Sequence, residues 1–278
     1  VVSKFKPLCA IGQFVSTSPR LWPNPPSNSP LPLPTGPVFY TSSELQELEF
    51  PEMPDESSLD LESLQTYVGN FKLPNGVLLK DVIDVTNRRP ILVAGELANP
   101  YRLCDILAPD LPLVPVRLEN ICRTYSDNLD SREVQPGIHH VTIARSVGWW
   151  EISFIALVEL PDMKKMVGWL DGPNTNTWAP KRLDEGIIRL ENNMMLMSPE
   201  PEDISWDGDL ENVNCDMPEA NGPCLDLSTL IVPINTRQGC YNHRGRILRC
   251  KHYPQTEFHD NLFRRGSSFK WDKVLNCL

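Results

Sequence analysis

Hydrophobic and polar positions alternate most clearly between Ile138 and Leu160, where HHVTIARSV runs into Gly148 and then WWEISFIALVEL. Trp150, Ile152 and Phe154 alternate with Glu151 and Ser153, the period-two pattern of a half-buried strand. Ile155–Val158 then turns apolar on both faces, as in a sandwich core. Shorter stretches follow the same grammar. LPNGVLLKDVIDV holds Asn75-Gly76 between apolar segments, a hairpin-turn signal, and ends in the strand-like Val82, Ile83 and Val85. Pro90 precedes ILVAG, a short buried strand. Leu111–Leu118 is extended, and its Pro112 and Pro115 assign it to a sheet edge, because proline donates no ladder hydrogen bond. Met166–Leu170 and Gly186–Leu190 read as two further strands. Asp171-Gly172-Pro173-Asn174 between them reads as a turn, glycine accepting positive φ and proline forbidding helix.

Helical signals are few. Ser58–Val68 puts Leu59, Leu61, Leu64 and Val68 at partly helical spacing, and no segment carries twelve residues of clean helical periodicity. Strands do not alternate with helices, which argues against a parallel α/β sheet. The expected fold is mainly β: an antiparallel β-sandwich or jelly-roll-like barrel with an extended Pro-rich N-terminal arm and few short helices.

Proline sharpens that picture. It supplies 27 of 278 residues, about twice the usual ~5%, and eight lie within Pro19–Pro37. A fixed φ and a missing donor exclude helix there and leave a polyproline II or irregular extended path. Leu21, Trp22, Leu31 and Leu33 offer this arm apolar anchors. It can strap its own domain, reach a neighbouring subunit through Trp22, or serve a proline-recognition module. The chain divides into the arm (1–43), an acidic segment with a short helix (44–70), a β-rich core (71–200), an acidic loop region (201–236) and a basic Cys/His-containing tail (237–278). Its start at Val1, without methionine or an apolar leader run, reads as a processed product or a fragment.

Charge is distributed unevenly. The chain has 26 basic and 36 acidic residues, a formal charge of −10. Glu44–Glu62 carries eight acids and no Lys or Arg, and Glu185–Asp226 carries eleven acids against Arg189 alone. Arg237–Lys273 reverses the sign with nine cations and three anions. Acidic belt and basic tail are expected to attract one another, within or between molecules. Nucleic acid is the alternative partner of the tail, through Arg244, Arg246, Arg249 and Lys251 with interleaved aromatics. DISWDGDLE resembles an oxygen-rich cation loop but lacks the full calcium-binding spacing, so a solvated loop is the plainer reading.

Candidate chemistry is sparse. Of eight cysteines, five lie in the last 64 residues, so a stapled C-terminal region and reduced thiols both stay open. Cys240, His243, Cys250 and His252 are thiolate and imidazole ligands of the kind zinc takes, at a spacing that matches no common finger. The same residues fit a Cys240–Cys250 disulfide closing a hairpin that turns at Arg244-Gly245. His139 and His140 are adjacent on a strand, so they face opposite sides. One of them beside Cys122 would make a nucleophile–base pair, although structural roles for both are the simpler expectation. Glu151 and Glu159 are the first carboxylates to consider for glycoside chemistry; otherwise both are outward-facing polar positions. Phosphate-loop, dinucleotide, zinc-protease and serine-elbow motifs are all missing from the sequence.

These features point to a non-enzymatic structural or assembly protein, with a coat (capsid-like) subunit processed from a polyprotein as its concrete form. Self-association through the arm and β-surfaces is the expected partnership, in a virion or extracellular setting. No apolar run reaches the ~18 residues of a membrane helix, and no cofactor is called for beyond the zinc alternative. The competing expectation is a secreted, disulfide-stapled binding protein or hydrolase.

Overall fold

The structure is a computed structural model that describes residues 30, 33–129, 138–171, 177–242, 244–263 and 267–278. It is built mainly of strands in antiparallel and mixed sheets. Eight strands share the principal sheet: β1 (Val38–Tyr40), β2 (Leu45–Glu47), β3 (Ser58–Leu59), β4 (Arg89–Leu92), β5 (Leu111–Leu129), β6 (His139–Val158), β8 (Ile187–Leu190) and β11 (Cys224–Leu225). Three two-stranded ribbons accompany it. They pair β7 (Trp178–Lys181) with β12 (Val232–Asn235), β9 (Ile204–Trp206) with β10 (Glu211–Val213), and β13 (Arg237–Tyr241) with β14 (Ser267–Lys270).

Strands β5 and β6 form an antiparallel spine from Leu113↔Ala156 to Leu129↔His139. β4 lines the far side of β6, while β1 and β8 share the other side of β5, at Leu111–Leu113 and Val116–Glu119. Alternation along the spine feeds two cores. Val114, Val116, Leu118, Ile155 and Leu157 join one with α1 (Leu61–Gly69), and Leu111, Leu113, Phe154, Ala156 and Val158 join the other with α2 (Pro100–Ile106) and α3 (Leu160–Asp171). Covering both faces of the sheet removes the apolar side chains of these two clusters from water, the dominant favourable contribution to folding.

The helices have local causes. Asp60 caps α1 by accepting from the Ser63 N–H at 2.8 Å, and Asn99 caps α2 through the Tyr101 N–H with Pro100 at the first helical position. α3 corrects the sequence reading, which made Met166–Leu170 a strand and found no twelve-residue helix. Met163, Met166, Val167 and Leu170 are its buried positions, spaced i, i+3, i+4, i+7, and Pro161 sits in the first turn where its missing N–H does no harm. The Asn75-Gly76 turn is present, with Gly76 at φ 82° and the Leu73 N–H donating to the Val77 carbonyl.

Leu111–Leu118 is not an edge: it is flanked by β6 on one side and by β1 and β8 on the other. Pro115 is tolerated because it falls between the last pair with β1, Leu113↔Val38, and the first with β8, Val116↔Leu190. Nor is Trp150–Phe154 half-buried with a polar outer face. Glu151 and Ser153 are buried as fully as Trp150 and Phe154.

The spine bends where Asn120, at φ 61°, faces Gly148, at φ 78°. The ladder is interrupted between Glu119 and Ile121, and the Gly148 N–H donates to Asn120 Oδ1 at 2.8 Å. This bulge divides the spine into an inner half within the sheet and an outer half that the C-terminal segment covers.

Candidate functional site

The outer half of the spine concentrates the polar chemistry. Ile247–Cys250 lies along β5: Thr124 bridges Arg249, the Thr124 hydroxyl donates to the Leu248 carbonyl, and the Cys250 N–H donates to the Arg123 carbonyl. Beneath it, Glu151 accepts from Arg123 Nε at 3.0 Å and Nη2 at 2.9 Å, and also from the Arg123 backbone N–H. Burial is nearly complete for this pair, so each charge depends on the other. Glu151 is therefore turned inward, against the expectation of an outward polar position, whereas Glu159 is exposed.

Arg249, 3% exposed, lies over the Trp149 ring at 4.8 Å and donates to the Ser146 hydroxyl at 2.8 Å and to Glu211 at 2.9 Å. Arg246 reaches the same Glu211 at 3.3 Å and the Ile204 carbonyl at 3.2 Å. Arg145 clasps Glu185 through two bonds, at 2.6 and 3.0 Å. The acidic belt and the basic tail thus meet inside one molecule. Of the four tail cations singled out in the sequence, Arg246 and Arg249 are committed to Glu211, while Arg244 and Lys251 face solvent. Trp22 lies outside the described residues.

The histidines separate as strand geometry requires. His140 faces the buried Glu96, 3.7 Å from its carboxylate, and the Trp178 ring. His139 packs edge-on against Phe258, which stacks on Tyr125. His139 Nδ1 lies 2.9 Å from the Ser126 carbonyl and Nε2 lies 3.0 Å from His259 Nδ1. A carbonyl only accepts, so Nδ1 carries the proton and Nε2 accepts from His259. Burial holds the His139 imidazole down at about 4, with the Ser126 bond opposing and His259 and His140 assisting. The Gln255 side chain brackets the strand start, accepting from the His139 N–H and donating to its carbonyl.

Cys122 belongs to a different cluster, with Trp149 and Ile247, so the nucleophile–base pair with histidine does not assemble. Its thiol is pushed up to about 12 by burial, against the pull of Arg249, and burial raises Cys250 well above its ordinary value too. Thiolate is the reactive form. At pH 8 an alkylating reagent should therefore leave Cys122 and Cys250 unmodified in the native protein and label both after denaturation, as read by peptide mass; rapid native labelling of Cys122 would contradict this packing.

Cys250 is a free thiol, so the Cys240–Cys250 disulfide is not formed; the hairpin itself is, with Asn242 and Arg246 hydrogen-bonded across Gly245 at φ 80°. Cys122, Cys215, Cys224 and Cys277 are also free, whereas Cys104 is in a disulfide. A C-terminal region stapled through Cys215, Cys224, Cys250 and Cys277 is thereby overturned. For zinc, Cys240 contributes a place on β13 and His243 lies outside the described residues. His252 directs Nε2 to the Pro199 carbonyl at 2.9 Å and its ring to Trp149, away from the Tyr125 cluster on which Cys250 packs. Among the described residues no group of three potential ligands could hold a metal ion. Asp207, in the candidate cation loop, instead accepts the Asp209 and Leu210 N–H groups in the β9–β10 turn.

Sequence reasoning missed the partnerships Arg123–Glu151, Arg249–Trp149 and His139–His259. Opposite charge in neighbouring segments was the available signal for Arg246, Arg249 and Glu211. Comparison with known proteins returns no significant match to a family model, a curated protein or a solved structure.

Proposed function

We propose that the chain is a non-enzymatic structural or assembly protein, a coat-like subunit that associates through its N-terminal arm and sheet edge. One observation carries this reading. β2 ends the strand order of the principal sheet, and beside it opens a groove of about 460 Å³ lined by Leu33, Pro37, Val38, Leu45, Leu48 and Pro100. The arm enters the fold at the same place, with Val38–Tyr40 paired to β5 and buried. A sheet end next to an apolar groove is the kind of surface on which an extended segment of another subunit docks. The sandwich or jelly-roll architecture belongs to this proposal, as does a virion or extracellular setting.

Sedimentation velocity of the intact chain across micromolar concentrations tests it. Concentration-dependent association is expected, and removing residues 1–29, which spares the buried β1, should weaken it. A single monomer boundary throughout, unchanged by the truncation, would refute the proposal. The five free thiols count against the second reading, a secreted, disulfide-stapled binding protein or hydrolase, which the Cys104 disulfide alone favours.

A further inference from the structure

The end of the principal sheet at β2 is open in a defined way. Val38–Tyr40 pairs with Leu45–Glu47, and the hairpin closes with the Thr41 N–H on the Glu44 carbonyl and the Leu48 N–H on the Pro37 carbonyl. These bonds set its parity: Gln46 turns its backbone groups toward β1, while Leu45 and Glu47 turn theirs away from it. The outward groups of Leu45 and Glu47 have no hydrogen-bond partner among the described residues. Two residues on, the same edge already pairs, because Glu49 and Lys72 exchange both backbone bonds, at 2.9 and 3.3 Å. The open positions border the groove of about 460 Å³, whose lining includes Leu33, Pro37, Leu45, Glu47, Leu48 and Pro100. Glu44, Glu47 and Glu49 are exposed along it and form no ion pair among the described residues.

We infer that this edge takes residues 8–18 (LCAIGQFVSTS) of a second copy of the chain as an added strand. The contact rests on the assembly reading and specifies which part of the arm docks. Residues 1–29 lie outside the described residues, so the segment is chosen by its sequence and reach. Residues 8–18 are the longest proline-free stretch before β1, so each of their N–H groups is free to join a ladder. Ile11, Phe14, Val15 and Thr17 are strand formers, and the stretch brings no charge into an apolar groove. Lys4 and Lys6 precede it and complement the three exposed carboxylates.

Reach selects a second copy over the chain's own groove. Pro30 is anchored at the groove: the Asn99 side chain donates to its carbonyl at 2.9 Å, and Pro100 is part of the lining. Residues 19–30 hold five prolines and no glycine. A polyproline II path over them advances about 3.1 Å per residue, roughly 34 Å in all. A stiff spacer that starts at the groove carries the strand to a neighbour's edge. Arm and edge are different patches, so the contact runs head-to-tail, or reciprocally between two chains that exchange arms.

Residue-resolved hydrogen exchange on the full chain, above and below the concentration at which it associates, reads the contact. Association should slow the Leu45 and Glu47 amides and leave Gln46, bonded to β1 in either state, unchanged. Phe14→Pro with Val15→Pro removes donors from both faces of the incoming strand. Glu47→Pro removes one outward N–H and no bond to β1. Each should weaken association about tenfold in sedimentation, the worth of one or two hydrogen bonds. The arm variant lies outside the β1–β2 hairpin, so it reads the contact even where Glu47→Pro unsettles that hairpin. Association with Leu45 and Glu47 still exchanging freely, or undiminished in the arm variant, overturns this inference and leaves the broader assembly reading standing. A wild-type chain that is monomeric at every concentration overturns both.

Discussion

Glu151→Ala should cost the folded state about 3–5 kcal/mol, the usual consequence of leaving one member of a buried ion pair without its partner. The carboxylate is 1% exposed and the Arg123 side chain 12%, and three donors of Arg123 converge on it. Removal strands the guanidinium and one backbone N–H beneath Cys250 without the acceptor they share. Urea denaturation gives the measurement. Glu151→Gln keeps an acceptor and should lose less. The double replacement Glu151→Leu with Arg123→Met, which removes both charges, should recover most of the deficit. A loss below 1 kcal/mol for Glu151→Ala would mean that the pair is hydrated in solution.

Acid should destabilise the protein through His139 well before the ordinary carboxylate range is reached. The native imidazole is held at about 4 against an ordinary value of 6.5. Between these values the unfolded chain binds a proton that native His139 refuses. Stability is thus fully retained above pH 6.5 and falls as the pH drops toward 4, by about 3 kcal/mol in total from this group. Geometry explains the refusal: a second ring proton would point at the His259 N–H that Nε2 now accepts. His139→Asn should remove most of this slope between pH 6.5 and 4.5 in denaturation experiments. An identical slope in wild type and variant would assign the acid sensitivity elsewhere.

The strand content was legible because β6 alternates and β8 opens on two isoleucines, and local chemistry marked the Asn75-Gly76 turn and the Asp60-led helix. Three readings failed for tertiary reasons. Met163–Leu170 carries the helical spacing, yet its length and Gly168 let a strand compete until packing against α2 decided the matter. Pro112 and Pro115 argued for an edge, since the offset of β1 and β8 along β5 is invisible in sequence. Glu151 looked solvated because Arg123, the partner that turns it inward, lies 28 residues earlier on another strand. The candidate site was the least legible part. Arg249, His139 and Cys250 were noticed as residue types, whereas their partners Trp149, His259 and Tyr125 come from remote stretches that no spacing rule connects.

The clamping of Ile247–Cys250 onto β5 has a consequence for biosynthesis. Thr124 waits for Leu248 and Arg249, and Tyr125 for Tyr253, so a further 124 to 128 residues must be synthesised before the outer half of the hairpin is sheathed. Closing such distant loops slows folding. During that interval the growing chain lacks the segment that packs on Arg123 and Trp149, so a chaperone would have this stretch to shield.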